Sequence, residues 1–388
     1  MTQVEGYVEP GFEGVRDAFA ANFEQHGEVG AGFALHVGGK KVVDIWGGIA
    51  DVKTGKPYTE DSLQLVFSTT KGATAMCANL LIERGDLDVD APVSKYWPEF
   101  AQNGKESIPV RMLLNHEAGL YTVDTAPAYA DTLRWDPIVE ALAAQKPLWE
   151  PGTAHGYHAL TYGWLVGEVI RRVSGKSIGA FFQDEFATPL GLDFWIGLPK
   201  EQHDRVAPLV AMDEPTDPAA RAMAEQFTGP DTVMGKALSA SGALTSPDGD
   251  NSFNRPDMWS AEIPAANGIT NARSLSRLYA SLVGKGVDGK RMLSAKTIEN
   301  ATKVQDEYTD AVLMGMPTRF GLGFMLSSDF APFGGPKSFG HPGAGGSVGF
   351  ADPDAELGFG YVMNKMQTNL AGDPRTLTLI KASYDAIR

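Results

Sequence analysis

Cysteine occurs once in the 388 residues, at Cys77, which excludes an internal disulfide and any cysteine-based metal cluster. Positive charge is also scarce. The chain has 33 Lys and Arg against 48 Asp and Glu, a formal net charge of −15 at pH 7. Such a surface repels phosphate backbones and anionic headgroups, so neither a nucleic acid nor a membrane partner is expected. No apolar run reaches the length of a bilayer span. Residues 1–15 carry Glu5, Glu9 and Glu13 and no apolar core, so we expect no secretory leader and a cytoplasmic protein. Phosphate-binding glycine loops, internal repeats and low-complexity segments are absent. What remains is an ordinary globular composition, 43% hydrophobic and 21% charged, in a chain long enough for two lobes.

Phe12, Val15, Phe19 and Phe23 recur at helical spacing and predict a first amphipathic helix. Phe33, Leu35 and Val37 alternate, Gly38-Gly39 turns the chain, and Val43 and Ile45 alternate again, which reads as a β-hairpin. Near the other end, Phe320, Leu322, Phe324 and Leu326 alternate in the same way. Val348 and Phe350 follow, then an Asp352-Pro353-Asp354 turn, then Leu357, Phe359, Tyr361 and Met363. Asp373-Pro374 caps a last helix with Leu377, Ile380, Tyr384 and Ile387 on one face. Between these ends the periodicity is mostly helical, as in Val110 to Leu114, Thr161 to Val173 and Arg273 to Leu282. The expected fold is therefore α/β of the α+β kind. One antiparallel sheet is built from both termini (1–70 and 315–388), flanked by the terminal helices, with a mainly helical lobe (71–314) inserted. Residues 199–264 hold eight prolines and little periodicity, and read as an irregular wall or lid.

The chemistry centres on Phe67-Ser68-Thr69-Thr70-Lys71-Gly72. Residues three apart share a helical face, so the Ser68 hydroxyl and the Lys71 amine can meet. The apolar run Ala73, Ala75, Met76, Ala78, Leu80, Leu81, Ile82, closed by Gly85, predicts a buried helix behind them. Its N-terminus favours negative charge developing on Ser68. A free lysine of pKa about 10.4 needs about 4.6 kcal/mol to be neutral at pH 7, and burial supplies much of that. A second base candidate follows Glu150-Pro151-Gly152, where spacing alone leaves Tyr157 and Tyr162 equal. Gly340-His341-Pro342-Gly343-Ala344-Gly345-Gly346 precedes a predicted strand. Its glycines let backbone N–H groups approach a substrate oxyanion, and a plain loop before an edge strand is the other reading.

Competing sites are weaker. His116-Glu117 begins like a zinc-protease helix, but Leu120 stands where the second histidine belongs. His155 and His158 have the spacing of a metal clasp without a third ligand, and read as a surface or site-rim pair. Gly345-Gly346-Ser347-Val348-Gly349 fits G-x-S-x-G, yet a nucleophile elbow needs a strand before the serine and a helix after it. It also needs a later histidine, and the seven histidines end at His341.

Taken in order, four stretches resemble the serine β-lactamase-like superfamily. They are Phe67 to Gly72, Val110-Arg111-Met112-Leu113-Leu114-Asn115-His116-Glu117-Ala118-Gly119-Leu120, Pro151-Gly152 with Tyr157, and His341-Pro342-Gly343. The likeness runs along nearly the whole chain. It is greatest to the family VIII carboxylesterases, which are related to class C β-lactamases and penicillin-binding proteins.

The resemblance implies a β-lactamase-like fold and a cofactor-free, metal-free serine hydrolase. Ser68 would be the acylated nucleophile, with Lys71 and Tyr157 sharing acid and base duty. The backbone N–H groups of Ser68 and Ala344 would form the oxyanion hole, each donor worth about 2.7–4 kcal/mol. His341 and Gly343 would lie beside the substrate, His341 as a hydrogen-bond donor. Two departures bear on the substrate. Ala159 stands in place of the family's asparagine and His341 in place of its lysine, groups that hold the amide and carboxylate of a β-lactam. Their loss suits a neutral, small to medium carboxylic ester. A β-lactamase, a D-amino-acid peptidase and an acyltransferase stay open as relatives of that chemistry, and so does a homo-oligomer. A non-catalytic β-lactam-fold binding protein would be expected to lack Ser68, Lys71 or Tyr157.

Overall fold

The computed structural model describes residues 2–213, 216–249, 251–367 and 372–388. Strands β1 (Val4–Val8), β2 (Gly30–Val37) and β3 (Lys40–Asp51) come from the N-terminal part of the chain. Strands β4 (Met325–Leu326), β5 (Phe339–Pro342), β6 (Val348–Asp352) and β7 (Leu357–Met363) come from the C-terminal part. Together they form one sheet in the order β1-β3-β2-β7-β6-β5-β4, with Lys56–Pro57 pairing off β3. Every pairing is antiparallel. The two chain ends thus meet at β2–β7, where Leu357 pairs with Val37 and Met363 with Ala31.

The β2–β3 hairpin closes at Gly38-Gly39, both at positive φ (56° and 78°), as a primed turn requires. Alternation along β2 sends Phe33 and Leu35 to one side, where they share a core with Val15, Phe19, Leu379 and Ile380. These last four lie on the terminal helices α1 (Glu13–Gln25) and α5 (Pro374–Ala386), which pack on each other. Asp373 caps α5, its carboxylate accepting from the Arg375 amide.

A further helix, α4 (Ala272–Ala280), lies across β2 and β7 on the opposite face. Small residues let it approach. A Cβ on Gly358 would stand 2.4 Å from the Ala280 nitrogen, and one on Gly360 would stand 2.4 Å from the Ala272 oxygen. The two helices that build the site are α2 (Thr70–Arg84), ended by Gly85 at φ 77°, and α3 (Thr161–Ser174), ended by Gly175 at φ 71°. They pack against each other in a large apolar core. A small sheet of two-residue strands, Gln64–Leu65, Ile269–Thr270 and Phe194–Trp195, holds the segment that leads into Ser68.

Two local expectations are corrected. Phe320 to Leu326 is not a continuous strand, and only Met325–Leu326 pairs in the sheet. Gly323, at φ 88°, turns the segment inward so that a Cβ there would stand 2.7 Å from Ala75 Cβ and from Tyr162 Oη. On α5 the inward face carries Thr376, Leu379, Ile380 and Ser383, while Leu377 is exposed. Within 199–264 the prolines start short helices, Pro218–Thr228 and Pro256–Ser260, with Val233–Ser239 between them. Every described side chain of Pro218–Thr228 is exposed. Among the described residues no helix is long and apolar enough to cross a membrane.

Gly358→Ala should lower unfolding stability by about 1–3 kcal/mol, because the added methyl meets backbone rather than a movable side chain. Gly14 lies in α1 with nothing near its absent Cβ. Gly14→Ala should therefore stabilise by about 0.5–1 kcal/mol. Urea unfolding of both variants against the parent measures the contrast.

Candidate active site

Ser68 sits in a single 3-10 turn, Phe67–Thr69, that runs directly into the helix Thr70–Arg84. Phe67, at φ 43°, is held in the left-handed region that a bulky residue rarely adopts. Its carbonyl accepts the Thr70 hydroxyl at 2.5 Å, and its ring packs edge-on against Phe253 at 4.8 Å. The Thr70 hydroxyl oxygen in turn accepts the Gly268 amide at 2.9 Å, and the Val66 amide donates to the Gly268 carbonyl at 2.9 Å. The strained turn is thus fixed from both sides.

Lys71 is completely buried, and its helix is buried from Thr70 to Leu81. Burial lowers its pKa well below the ordinary lysine value. The amine has three polar neighbours: Ser68 Oγ at 3.1 Å, the Ala159 carbonyl at 2.6 Å and the Ala265 carbonyl at 3.0 Å. A carbonyl can only accept. A neutral amine that donates its two N–H groups to Ala159 and Ala265 therefore turns its lone pair toward the Ser68 hydroxyl. That arrangement can take a proton from serine without a second base.

Of the two tyrosines, Tyr157 lies nearer the Lys71 amine. The Lys71 amine lies 4.8 Å from the Tyr157 ring centre and 5.8 Å from that of Tyr162. The Ser68 side chain lies close enough to the Tyr157 phenol to lower its pKa. Tyr162 Oη is buried without a hydrogen-bond partner, against Gly323. Burial pushes the Tyr157 pKa up, more than Ser68 lowers it, and Asp310 raises it further. A tyrosinate is therefore not the resting form. Tyr157 rests as a phenol able to donate a proton.

Asp310 escaped the sequence reading. It is fully buried, and its Oδ1 accepts the amides of Tyr157 (3.0 Å), Val312 (2.9 Å) and Leu313 (2.8 Å). Its Oδ2 accepts the Thr318 hydroxyl at 3.1 Å. A lone aspartate in an irregular segment carries no periodic signal, and nothing in the sequence links it to a tyrosine 153 positions away.

His341, Gly343 and Ala344 lie on β5 and the turn after it, beside the Ser68 turn. A Cβ on Gly343 would stand 2.2 Å from the Val66 oxygen and 2.9 Å from Thr69 Oγ1, so only glycine permits this approach. Among the described residues, neither the Ser68 nor the Ala344 amide donates to a protein acceptor. The His341 ring stacks on Tyr157, centres 5.9 Å apart. Burial above all lowers its pKa to about 3, so it is neutral. Its Nδ1–H donates to the Pro342 carbonyl at 2.7 Å, and its buried Nε2 has no partner. The expectation of a donor here is corrected: with Nδ1–H already used, Nε2 can only accept.

The remaining candidates are structural. Ser347 Oγ donates to the Val66 carbonyl at 2.9 Å and meets Thr69 Oγ1 at 3.1 Å, bracing the Ser68 turn. His155 and His158 are buried, not on a rim, and the segment between them is not helical. His155 meets Asp306 at 2.5 Å and Thr318 at 2.9 Å. His158 donates to the Gly156 carbonyl at 2.6 Å and accepts the Leu120 amide at 2.9 Å. His116 accepts the His158 amide at 3.1 Å and packs edge-on against Phe320 at 4.5 Å, which gives the Val110–Leu120 stretch a structural role. Among the described residues no group of three His, Cys, Asp or Glu side chains is placed to hold a metal.

Comparison with known proteins gives the family. The sequence profile of the beta-lactamase family matches residues 15–382. The chain is 35% identical over 381 residues to the esterase/beta-lactamase LipL of Mycobacterium tuberculosis, covering 95% of this chain and 84% of the relative. A family VIII carboxylesterase crystal structure superposes with a TM-score of 0.88 at 39% identity, covering 99% of this chain and all of the other. A penicillin-binding protein homologue from Caulobacter crescentus superposes with a TM-score of 0.86 at 37% identity, over 99% of this chain and all of the other. The chain belongs to the beta-lactamase family and has the fold of its family VIII carboxylesterase members.

Proposed function

We propose that this protein is a serine esterase that hydrolyses small to medium carboxylic esters through an acyl-enzyme on Ser68. The observation that carries the reading is the Lys71 amine, buried, with two carbonyls on its N–H groups and Ser68 Oγ at 3.1 Å. The esterase names of its relatives support the reading.

Lys71 takes the Ser68 proton as Oγ attacks the ester carbonyl carbon. The negative charge moves to the carbonyl oxygen, where the amides of Ser68 and Ala344 receive it. Tyr157 gives its phenolic proton to the departing alkoxide and is reprotonated from Lys71, so the alcohol leaves neutral. In the second half the same groups run in reverse. Lys71 takes the phenolic proton of Tyr157, which takes one from water; the water oxygen attacks the acyl carbon, and the bond to Ser68 breaks as Lys71 returns the proton to Oγ. An alcohol in place of water would give acyl transfer.

Esters are favoured over β-lactams by two side chains. Neutral His341 offers no positive charge to a β-lactam carboxylate, and the Ala159 methyl offers no amide to its side chain. Turnover of β-lactams as a secondary activity is the second reading, supported by the double name of LipL and by the penicillin-binding homologue. In this reading the sheet lobe (1–70 and 315–388, with the helix Ala272–Ala280 laid on its sheet) and the helical lobe (the rest of 71–314) flank the cleft. Residues 199–264 act as the wall that selects the acyl and alcohol groups. The substrate is met in the cytoplasm, and the cleft would work unchanged within a homo-oligomer.

Mass spectrometry after exposure to p-nitrophenyl esters and to a penicillin should locate the adduct on Ser68. Ser68→Ala should give none, and Ser347→Ala should still be labelled; an adduct on Ser347 would overturn the assignment. Tyr157→Phe should lower kcat by at least about 100-fold, whereas Tyr162→Phe should leave it unchanged.

The pH dependence has a definite sign. Protonated Lys71 cannot accept from Ser68, so kcat/KM should rise as pH passes through a pKa well below 10.5 and then stay level. Tyr157 must be protonated, and its raised pKa predicts no decline up to pH 10. A steady-state pH series in which Lys71 and Tyr157 gave a bell centred on neutrality would contradict this.

A further inference from the structure

Behind the turn that carries Ala344 lies a completely buried arginine that takes no part in the chemistry described above. Arg375, in the first turn of α5, is 0% exposed. Its Nη2 donates to the Gly345 carbonyl at 2.5 Å and to Asp373 Oδ2 at 2.7 Å. Nη1 donates to the Lys365 carbonyl at 2.9 Å and to Glu28 Oε1 at 3.2 Å, and Nε donates to Asp373 Oδ1 at 3.1 Å. The Tyr361 hydroxyl donates to the other Glu28 oxygen. The neighbouring Thr376 hydroxyl donates to the Gly346 carbonyl at 3.1 Å.

The two carbonyls after Ala344 are thus tied to consecutive residues of one helix. The glycines permit it. Gly346, at φ 124°, would place a Cβ 2.5 Å from Arg375 Nη2, and Gly345, at φ 87°, would place one 2.4 Å from Met366 Sδ. A buried ion pair is not needed for stability, because well-packed apolar side chains commonly do as well. What the guanidinium offers that an apolar group cannot is several directed donors in one rigid plane. One of them is aimed at the backbone of the candidate oxyanion turn.

We propose that Arg375, braced by Glu28 and Asp373 and helped by Thr376, is a positioning residue that sets the Ala344 amide for the oxyanion of the transition state. The proposal rests on the reading of Ala344 as an oxyanion donor. Arg375 touches no reacting atom. It acts on the Gly345 carbonyl, and through the Gly345–Gly346 backbone on the direction of the Ala344 N–H.

Arg375→Lys keeps the charge opposite Glu28 and Asp373, but one ammonium cannot serve all of the guanidinium's acceptors. Thr376→Val removes only the Gly346 bond. Misdirection of a catalytic donor should lower kcat for p-nitrophenyl ester hydrolysis by about 10- to 100-fold in Arg375→Lys, with KM unchanged. The inhibition constant of phenylboronic acid, whose tetrahedral adduct on Ser68 places an oxygen in the oxyanion position, should rise by the same factor. Thr376→Val should move both readouts in the same direction by less.

The proposal falls if folded Arg375→Lys keeps the parent kcat, or loses kcat with unchanged affinity for the boronate. If circular dichroism shows Arg375→Lys unfolded, Thr376→Val is judged by the same two criteria. Ala344→Pro separates this proposal from the one beneath it. It deletes the N–H itself, and the extended Gly343 (φ −114°, ψ 152°) accepts a following proline. Full turnover in Ala344→Pro would overturn the oxyanion reading and this proposal together. A dead Ala344→Pro beside a fully active Arg375→Lys would overturn only the positioning role.

Discussion

The amine of Lys71 in a dry interior is the constraint on which the rest of the site depends. An ammonium there would have to give up its hydration for two carbonyls and a serine hydroxyl, so burial lowers the amine's proton affinity. The same dryness acts on every titratable neighbour. Burial lowers His116, His158 and His341 and raises Tyr157 and Tyr162. Around Ser68 the protein therefore holds a set of uncharged acids and bases. Charge that develops during a reaction is poorly screened there, and a fixed amide or phenol counts for more than it would in water.

Keeping that interior dry requires close approach of elements from distant parts of the chain, and small residues allow it. Gly343 brings the turn after β5 onto the Ser68 turn, and Gly323 presses an irregular segment against the helix behind Lys71. Gly358 and Gly360 seat the helix Ala272–Ala280 on the sheet. Polar groups then fix what the glycines admit. Ser347 ties its turn to Val66 and Thr69, Asp310 gathers the amide of Tyr157, and Arg375 holds the carbonyl of Gly345. Each is buried, and each bonds to backbone, the part of the chain whose position matters most for presenting an amide or a phenol.

Much of the scaffold was legible from residue order, because local signals agreed with the final packing. The alternation from Phe33 to Ile45 around Gly38-Gly39, the Val348 to Met363 hairpin and the Asp373-Pro374 helix start all formed as their patterns indicate. Where local signals misled, tertiary contact was the reason. Phe320 to Leu326 alternates, yet Gly323 enters the left-handed region to meet Ala75 and Tyr162, and the strand is cut to two residues. His155 and His158 have the spacing of a metal pair, yet their nitrogens are taken by Asp306, Thr318, Gly156 and Leu120.

By itself, the sequence determined the features set by neighbours along the chain. These are the three-residue spacing of Ser68 and Lys71, the apolar helix behind them, the hairpin turns and the helix caps. It also determined the acidic surface and the order of landmarks that marks the family. Only the tertiary structure decided what depends on residues far apart. It set Tyr157 nearer to Lys71 than Tyr162, placed the Ala159 and Ala265 carbonyls on the Lys71 amine, used up the donor of His341, and set Arg375 behind Ala344. The reason is that spacing along the chain fixes only near neighbours. Proton affinity and hydrogen-bond direction depend on burial and on the one remaining partner, and both exist only after the chain has closed on itself.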